Sequence, residues 1–329
     1  MLRKGLAMKR ILAMLLAAAA PAAAQQPSTA PAAPAAAQLP AAAQPPATPP
    51  AARQPNFDNV QIRVERLAPG VAVLFGRGGN IGLSYGVDGN VIIDDQYAPL
   101  TDRILAAIRS LDPDPIRFVI NTHWHGDHTG GNENVGRTGA VIVAQDNVRR
   151  RMSMEQVVRG EHVAPSPAGA LPVVTFSEGV TFHLNADDIR VIHVAHAHTD
   201  GDALVFWTHA NVLHMGDTFF NGLLPFIDLD SGGSIDGAIA AVEAGLALAN
   251  DATVIIPGHG PIGRRADLVR YRDMLVDLRD RVRQGIAAHR TLEQIKALRL
   301  ADRYGPPDGF ISPDALIETI YRSLRAPAH

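Results

Sequence analysis

The chain has 329 residues, 47% of them hydrophobic, with a formal charge of −3 and no cysteine. That balance supplies apolar material for a sizeable core and gives no electrostatic reason to expect nucleic acid or an anionic membrane as partner. Disulfides and thiolate chemistry are excluded, so stability must come from the core and from bound ions.

In chain order, residues 1–24 read as an export signal peptide. Arg3, Lys4, Lys9 and Arg10 form a basic start, Ile11 to Ala20 an apolar stretch, and Ala22-Ala23-Ala24 a small-residue cleavage site before Gln25. The apolar stretch is shorter than the roughly 20 residues that cross a bilayer, and no other run is long enough, so no transmembrane segment is expected. The absence of Cys after the cleavage site excludes a lipoprotein anchor, and the expected location is periplasmic or secreted. Residues 25–54 are almost wholly Ala, Pro and Gln, a disordered linker with too little side-chain variety for a core. The remaining residues, 55–329, suit one α/β domain.

Within it, Val71-Ala72-Val73-Leu74-Phe75, Ile81 to Val87 and Asn90 to Asp94 read as a β-meander with Gly turns. Thr101 to Leu111 has helical spacing through Ile104, Leu105, Ile108 and Leu111, with Thr101 as N-cap. Ile116-Arg117-Phe118-Val119-Ile120 is predicted to be a buried strand. It runs into Asn121-Thr122-His123-Trp124-His125-Gly126-Asp127-His128, which packs three imidazoles and a carboxylate into six residues. These are the ligands that a borderline-soft ion such as Zn²⁺ takes, and a metal binds the imidazoles neutral where protonation would set them repelling. The spacing i, i+2, i+4, i+5 cannot share one helical face, so a loop must splay the four side chains into two neighbouring pockets, which suggests two metals.

Further ligands should lie at strand ends, and three segments qualify. Arg190 to Ala195 leads into His196-Ala197-His198-Thr199-Asp200-Gly201-Asp202. Asn211 to Met215 leads into Gly216-Asp217-Thr218, and Thr253 to Ile256 into Pro257-Gly258-His259-Gly260-Pro261. The flanking glycines allow close approach of backbone and metal. Met152, Met154 and the Pro- and Gly-containing loop Val163 to Leu171 suggest a movable flap, and Phe219, Phe220, Asn221 and Phe226 suggest pocket walls, although Phe219 and Phe226 serve equally well as core. His162 and His183 lie in ordinary polar contexts, and His193, His209 and His214 read as satisfied scaffold residues. Ser234 opens a helix over Ile235 to Leu248. Ala266 to Ile286 is a long amphipathic helix whose Arg279, Arg281 and Arg283 alternate with Asp277 and Asp280, a solvated face and not a nucleic-acid patch. Pro313 to Leu324 is a last helix.

The ordered set His123-x-His125-x-Asp127-His128, His198-Thr199-Asp200-Gly201-Asp202, Gly216-Asp217-Thr218 and Pro257-Gly258-His259-Gly260 resembles the metallo-β-lactamase superfamily of metallohydrolases. Val91-Ile92-Ile93-Asp94 is similar to the family's early strand, whose terminal Asp supports the site. The resemblance runs from about Val71 to His259 and implies a four-layer αβ/βα sandwich with metals at one edge, between two sheets. It also implies a ligand set. His123, His125 and His198 would hold the first metal; Asp127, His128 and His259 the second; Asp217 would bridge. The implied cofactors are two Zn²⁺ or another divalent metal, and Asp127 would also orient the attacking hydroxide. His196, two residues before His198, would face the same side in an extended segment; His198 is preferred because it directly precedes the Thr199-Asp200-Gly201-Asp202 turn.

Two departures narrow the resemblance. His125 stands where an iron-binding branch has Glu. Asp217 stands where the best-known β-lactamases carry Cys, and no Lys follows within the next turn to grip a drug carboxylate. A bridging Asp looks like the glyoxalase-II, lactonase and phosphodiesterase side of the superfamily. The expected function is an exported zinc hydrolase of a small-molecule ester, lactone, thioester or β-lactam. The alternatives are a phosphodiester or sulfate-ester hydrolase on the same site, and a non-catalytic zinc-binding periplasmic accessory protein. No G-x-S-x-G nucleophile elbow competes with this reading, and the sequence sets no oligomeric state.

Overall fold

The structure is a computed structural model that describes residues 56–306 and 309–326; the expected signal peptide and linker lie outside the described residues. Strands β1 (Arg63–Ala68), β2 (Val71–Phe75), β3 (Ile81–Ser84), β4 (Asn90–Ile93), β5 (Ile116–Ile120) and β6 (Val141–Gln145) pair side by side in that order. A separate hairpin follows, β7 (Gln156–Val158) and β8 (Glu161–Val163), after which β9 (Val174–Phe176) closes this seven-stranded sheet against β6. The second sheet has six strands in sequence order: β10 (Gly179–Leu184), β11 (Asp187–His193), β12 (Ala203–Trp207), β13 (Val212–His214), β14 (Val254–Ile256) and β15 (Gly263–Arg264). The helices are α1 (Thr101–Arg109), α2 (Gly126–Thr129), α3 (Asn132–Gly136), α4 (Asp146–Met152), α5 (Ile235–Leu248), α6 (Arg265–Ala287), α7 (Leu292–Lys296) and α8 (Pro313–Arg325).

Alternation along the strands builds four layers. Val71 and Val73 of β2 face Val205 and Trp207 of β12 between the sheets, while Ala72 and Leu74 turn outwards to Ile104 and Ile108 of α1. On the far side Leu204 and Leu213 pack on Ala238 and Val242 of α5 and Leu268, Leu275 and Leu278 of α6. Each fully buried Val, Leu or Ile among these contributes about 1.5–3 kcal/mol. The order helix, sheet, sheet, helix is the αβ/βα sandwich that the family resemblance implies.

The pairing also gathers the loops that matter. β4, β5 and β6 run parallel, as do β13 and β14. The segments after β5, β13 and β14 therefore leave at the same edges of the two sheets, where loops of an α/β fold can converge on a ligand. The arginines of α6 are ion-paired, Arg279 to Asp280 at 2.8 Å and Arg281 to Asp277 at 2.8 Å, so that face is the solvated one expected.

Two local expectations fail. Thr101 is not an N-cap: a 3₁₀ turn at Ala98–Leu100 feeds the helix, so Thr101 already has helical dihedrals (φ −51°, ψ −49°) and its hydroxyl accepts from Asn134 at 3.3 Å. The segment around His196 is a turn and not an extended strand, with His196 at φ 52°. The β7–β8 hairpin has no alternating signal in the sequence and was not anticipated.

Candidate metal centre

The loop after β5 carries His123 and His125, and the short helix α2 that follows it carries Asp127 and His128; the loop before β12 carries His198; Asp217 follows β13 and His259 follows β14. All seven converge. His123, His125, His198 and Asp217 form one group able to hold a metal ion, and Asp127, His128 and His259 a second. Asp217 lies between them. Its Oδ2 is 3.6 Å from His198 Nε2, 3.9 Å from His123 Nε2 and 3.5 Å from His259 Nε2, and its Oδ1 is 3.1 Å from His128 Nε2. That last contact is out of line for a hydrogen bond, so the buried Oδ1 has no donor.

The outer partners fix which nitrogen of each ring points inwards. His198 Nδ1 lies 2.7 Å from the Phe226 carbonyl, which can only accept, so Nε2 keeps its lone pair. His125 Nε2 donates to Asp228 Oδ2 at 2.9 Å, leaving Nδ1 free. His128 Nδ1 donates to Asp94 Oδ2 at 2.7 Å. Thr122 Oγ1 gives its proton to Asp94 at 2.8 Å and so accepts from His123 Nδ1 at 3.1 Å. In the neutral rings all four inward nitrogens then carry lone pairs. His198 Nε2 and His125 Nδ1 are 2.9 Å apart, and His123 Nε2 and His125 Nδ1 3.2 Å. Three lone pairs facing one another at these distances fit a shared cation, and such outer hydrogen bonds are what orients metal-ligating imidazoles.

Glycines make the crowding possible. A Cβ at Gly79 would fall 2.0 Å from the His128 ring, and one at Gly258 2.0 Å from Asp217 Oδ1.

The two groups differ electrostatically in the metal-free protein. Burial pushes the imidazole of His198 down to about 4 and lowers that of His123, with Asp217 opposing in both. Burial also acts against the charged forms of His128 and His259, but Asp217 and Asp127 outweigh it, raising His128 and lifting His259 to about 9. Asp127 is held at about 2 against its burial, chiefly by His128. The pairs formed by the raised imidazoles stabilise the fold fully below the ordinary value of 6.5, a contribution lost as pH rises through about 9. The contribution of Asp127 is present above 3.8 and lost as pH falls through about 2.

The expected pocket is a cleft of about 630 Å³ that opens onto this centre. Phe220 and Phe226 wall it as anticipated, Phe220 stacked on His259 (5.5 Å, 15°) and Phe226 on His125 (5.8 Å, 23°). Phe219 is instead fully buried against Tyr271, and Asn221 donates to the Pro261 carbonyl, so neither lines the cleft. The neighbour of Phe220 points the other way, as successive extended residues do. Val163 alone of the suggested flap residues reaches this cleft; Met152 is core. His196 turns away, with Nδ1 on the Gly232 carbonyl at 3.0 Å. His214 is held between the Asn80 carbonyl and the Gly216 amide, a scaffold residue.

Several contributors escaped the sequence reading: Asp228, Arg77, Tyr97, Trp124, Arg159 and Phe310. Burial and Asp127 push the Tyr97 phenol up to about 12, so it stays protonated as a donor facing the cleft. Only Asp228-x-x-Ser231, a short side-chain turn closed at 2.6 Å, offers a local hint.

Comparison with known proteins agrees with this geometry. A family model described as the metallo-β-lactamase superfamily matches residues 74–259. A hydroxyacylglutathione hydrolase of Rhodospirillum rubrum is 34% identical over 125 residues, 37% of this chain and 41% of that protein. One of a Polaromonas species is 30% identical over 145 residues, 44% and 48% respectively. These matches span less than half of each relative. Among solved structures, a metallo-β-lactamase from Pontibacter korlensis aligns with TM-score 0.56 at 20% identity, over 66% of this chain and all of that one. A sec-alkylsulfatase from a Pseudomonas species aligns with TM-score 0.58 at 18% identity, over 79% and 50%. With the family model covering more than half the chain and the fold and His/Asp centre in place, the chain belongs to the metallo-β-lactamase superfamily.

Proposed function

We propose that the chain is an exported dinuclear zinc hydrolase that cleaves an ester, lactone or thioester in preference to a β-lactam. The observation that carries this reading is Asp217, an anion placed between two groups of inward-facing ligands. His123, His125 and His198 would hold one ion and Asp127, His128 and His259 the other, with Asp217 shared. Two Zn²⁺ bound there would supply a water activated near neutral pH and a Lewis acid for the carbonyl oxygen.

The chain's own groups do the rest. Asp127 Oδ2, 3.2 Å from His259 Nε2 and about a quarter exposed, faces the cleft and orients the attacking water. Tyr97 supplies a hydrogen-bond donor to the substrate. Asp94 and Asp228 keep His128 and His125 in the ligating tautomer. The hydroxyacylglutathione hydrolases among the relatives support acyl chemistry. The export reading rests on residues 1–24: N-terminal sequencing that starts near Gln25 supports it, and a full-length cytoplasmic chain contradicts it.

The substrate class is tested by turnover of the zinc-loaded protein on four chromogenic compounds: an aryl lactone or ester, a thioester, a cephalosporin and a bis-aryl phosphate. The expected order has the ester or thioester ahead of the β-lactam, because Asp217 replaces the Cys ligand and no Lys follows it within the next turn. A charge-assisted contact of the missing kind is worth about 1.5–3 kcal/mol, roughly one to two powers of ten in binding. Efficient β-lactam cleavage with inert esters reverses the ranking, and a phosphate preference transfers the site to phosphodiesters.

A further inference from the structure

The cleft has two unlike halves. The floor is ionic, with His125, Asp127, Asp217 and His259, whereas the outer wall is apolar, with Leu223, Leu224, Phe226 and Phe310. Arg159 stands at that wall, on the turn of the β7–β8 hairpin, where it and Gly160 take φ of 54° and 82°. Its guanidinium carbon lies 5.9 Å from the centroid of the Phe226 ring and 4.9 Å from that of Phe310. Phe226 in turn stacks on His125, and its carbonyl holds His198. One aromatic ring thus separates this cation from the metal-site histidines.

Among the described residues no carboxylate lies within 4.0 Å of the Arg159 guanidinium. Asp228 and Asp230 border an adjoining cleft with it and with a second cation, Arg322, and Asp228 is committed to His125 and Ser231. The rim beside it leaves apolar surface in water: Phe310 is 69% and Val163 38% exposed. Exposed apolar surface rimmed by polar groups at a cleft marks a binding surface. The hairpin is tied to the centre, because Arg151 grips Asp200, two residues after His198, at 2.7 and 2.8 Å, and donates to Gln156 at the base of β7 at 2.9 Å.

We propose that Arg159 determines specificity by binding an anionic group at the far end of an otherwise apolar substrate whose body lies on Phe226 and Phe310. The substrate class is then an amphiphilic anion: an acyl compound with an aromatic or branched apolar portion and a negative charge remote from the bond that breaks. The identity of that bond rests on the acyl-hydrolase reading; the anion subsite does not. Arg77, the other cation lining the cleft, sits at the reacting end, on the turn whose Gly79 amide donates to the Asp127 carbonyl at 3.0 Å. Arg159 serves the remote end.

The test uses two probes of one skeleton, 8-anilinonaphthalene-1-sulfonate and uncharged N-phenyl-1-naphthylamine. Binding to the zinc-loaded full chain is read by quenching of tryptophan emission, since Trp124 lines the cleft and Trp207 is sealed in the core. Arg159→Gln is expected to weaken the sulfonate about fivefold while leaving the neutral probe within about twofold, and Arg159→Lys to restore part of the loss. Equal loss for both probes would show a structural role and overturn the proposal. So would an unchanged sulfonate affinity, or a loss that appears in Arg77→Gln instead. Neither probe carries a hydrolysable bond, so failure here is distinct from failure of the acyl-hydrolase reading.

Discussion

Asp217→Asn is expected to reduce turnover by more than about a hundredfold, because loss even of an outer hydrogen-bond partner costs 10- to 100-fold in metal affinity or activity. The substitution keeps the shape and removes the charge. Asp217 is buried within 4 Å of inward nitrogens of both groups, and its Oδ1 has no hydrogen-bond donor. Without its charge the two ions would face each other with one fewer anion between them, so metal content should fall from two equivalents to one or fewer. Elemental analysis beside kcat measures both effects. Full metal content with normal kcat would remove Asp217 from the bridging role.

His198→Ala and His196→Ala should behave as opposites. His198 is buried, turns Nε2 towards His125 Nδ1 at 2.9 Å, and is oriented by the Phe226 carbonyl. Its loss should abolish activity and empty the first group. The ring of His196 reaches the Gly232 carbonyl on another side of the loop, so its alanine variant should keep metal and most activity at a modest cost in stability, about 1 kcal/mol for the lost hydrogen bond. The reverse outcome would mean that the turn presents the other imidazole.

The parts of the site that were legible in sequence are those where chemistry-bearing residues follow strands. The run Ile116–Ile120 identifies a strand end by its apolar character, and three histidines with an aspartate immediately after it have few uses besides a metal. Asp94 was legible only through the resemblance of Val91-Ile92-Ile93-Asp94 to the family's early strand. Asp228 was not, because its partner His125 is 103 residues away and no strand announces it. Register also limited the reading. Phe219 and Phe220 are equally aromatic, and only the bridge between Phe220 and His259 fixes which of them faces the cleft. Similarly, His196 and His198 share a side only if the segment is extended, and a positive φ at His196 reorients it. Arg159 and Phe310 come from segments 151 residues apart in number, joined through rings whose meeting no local pattern encodes.

The most direct test of a dinuclear centre is calorimetric titration of the metal-free protein with zinc near pH 7, in two buffers of different ionisation enthalpy. Two equivalents per chain are expected, with a total heat that changes with the buffer, since carboxylates favour the protonated forms of His128 and His259 until a metal displaces those protons, while burial favours neutral His123 and His198. A single equivalent that excess zinc does not raise, or two equivalents bound without proton release, would contradict this expectation.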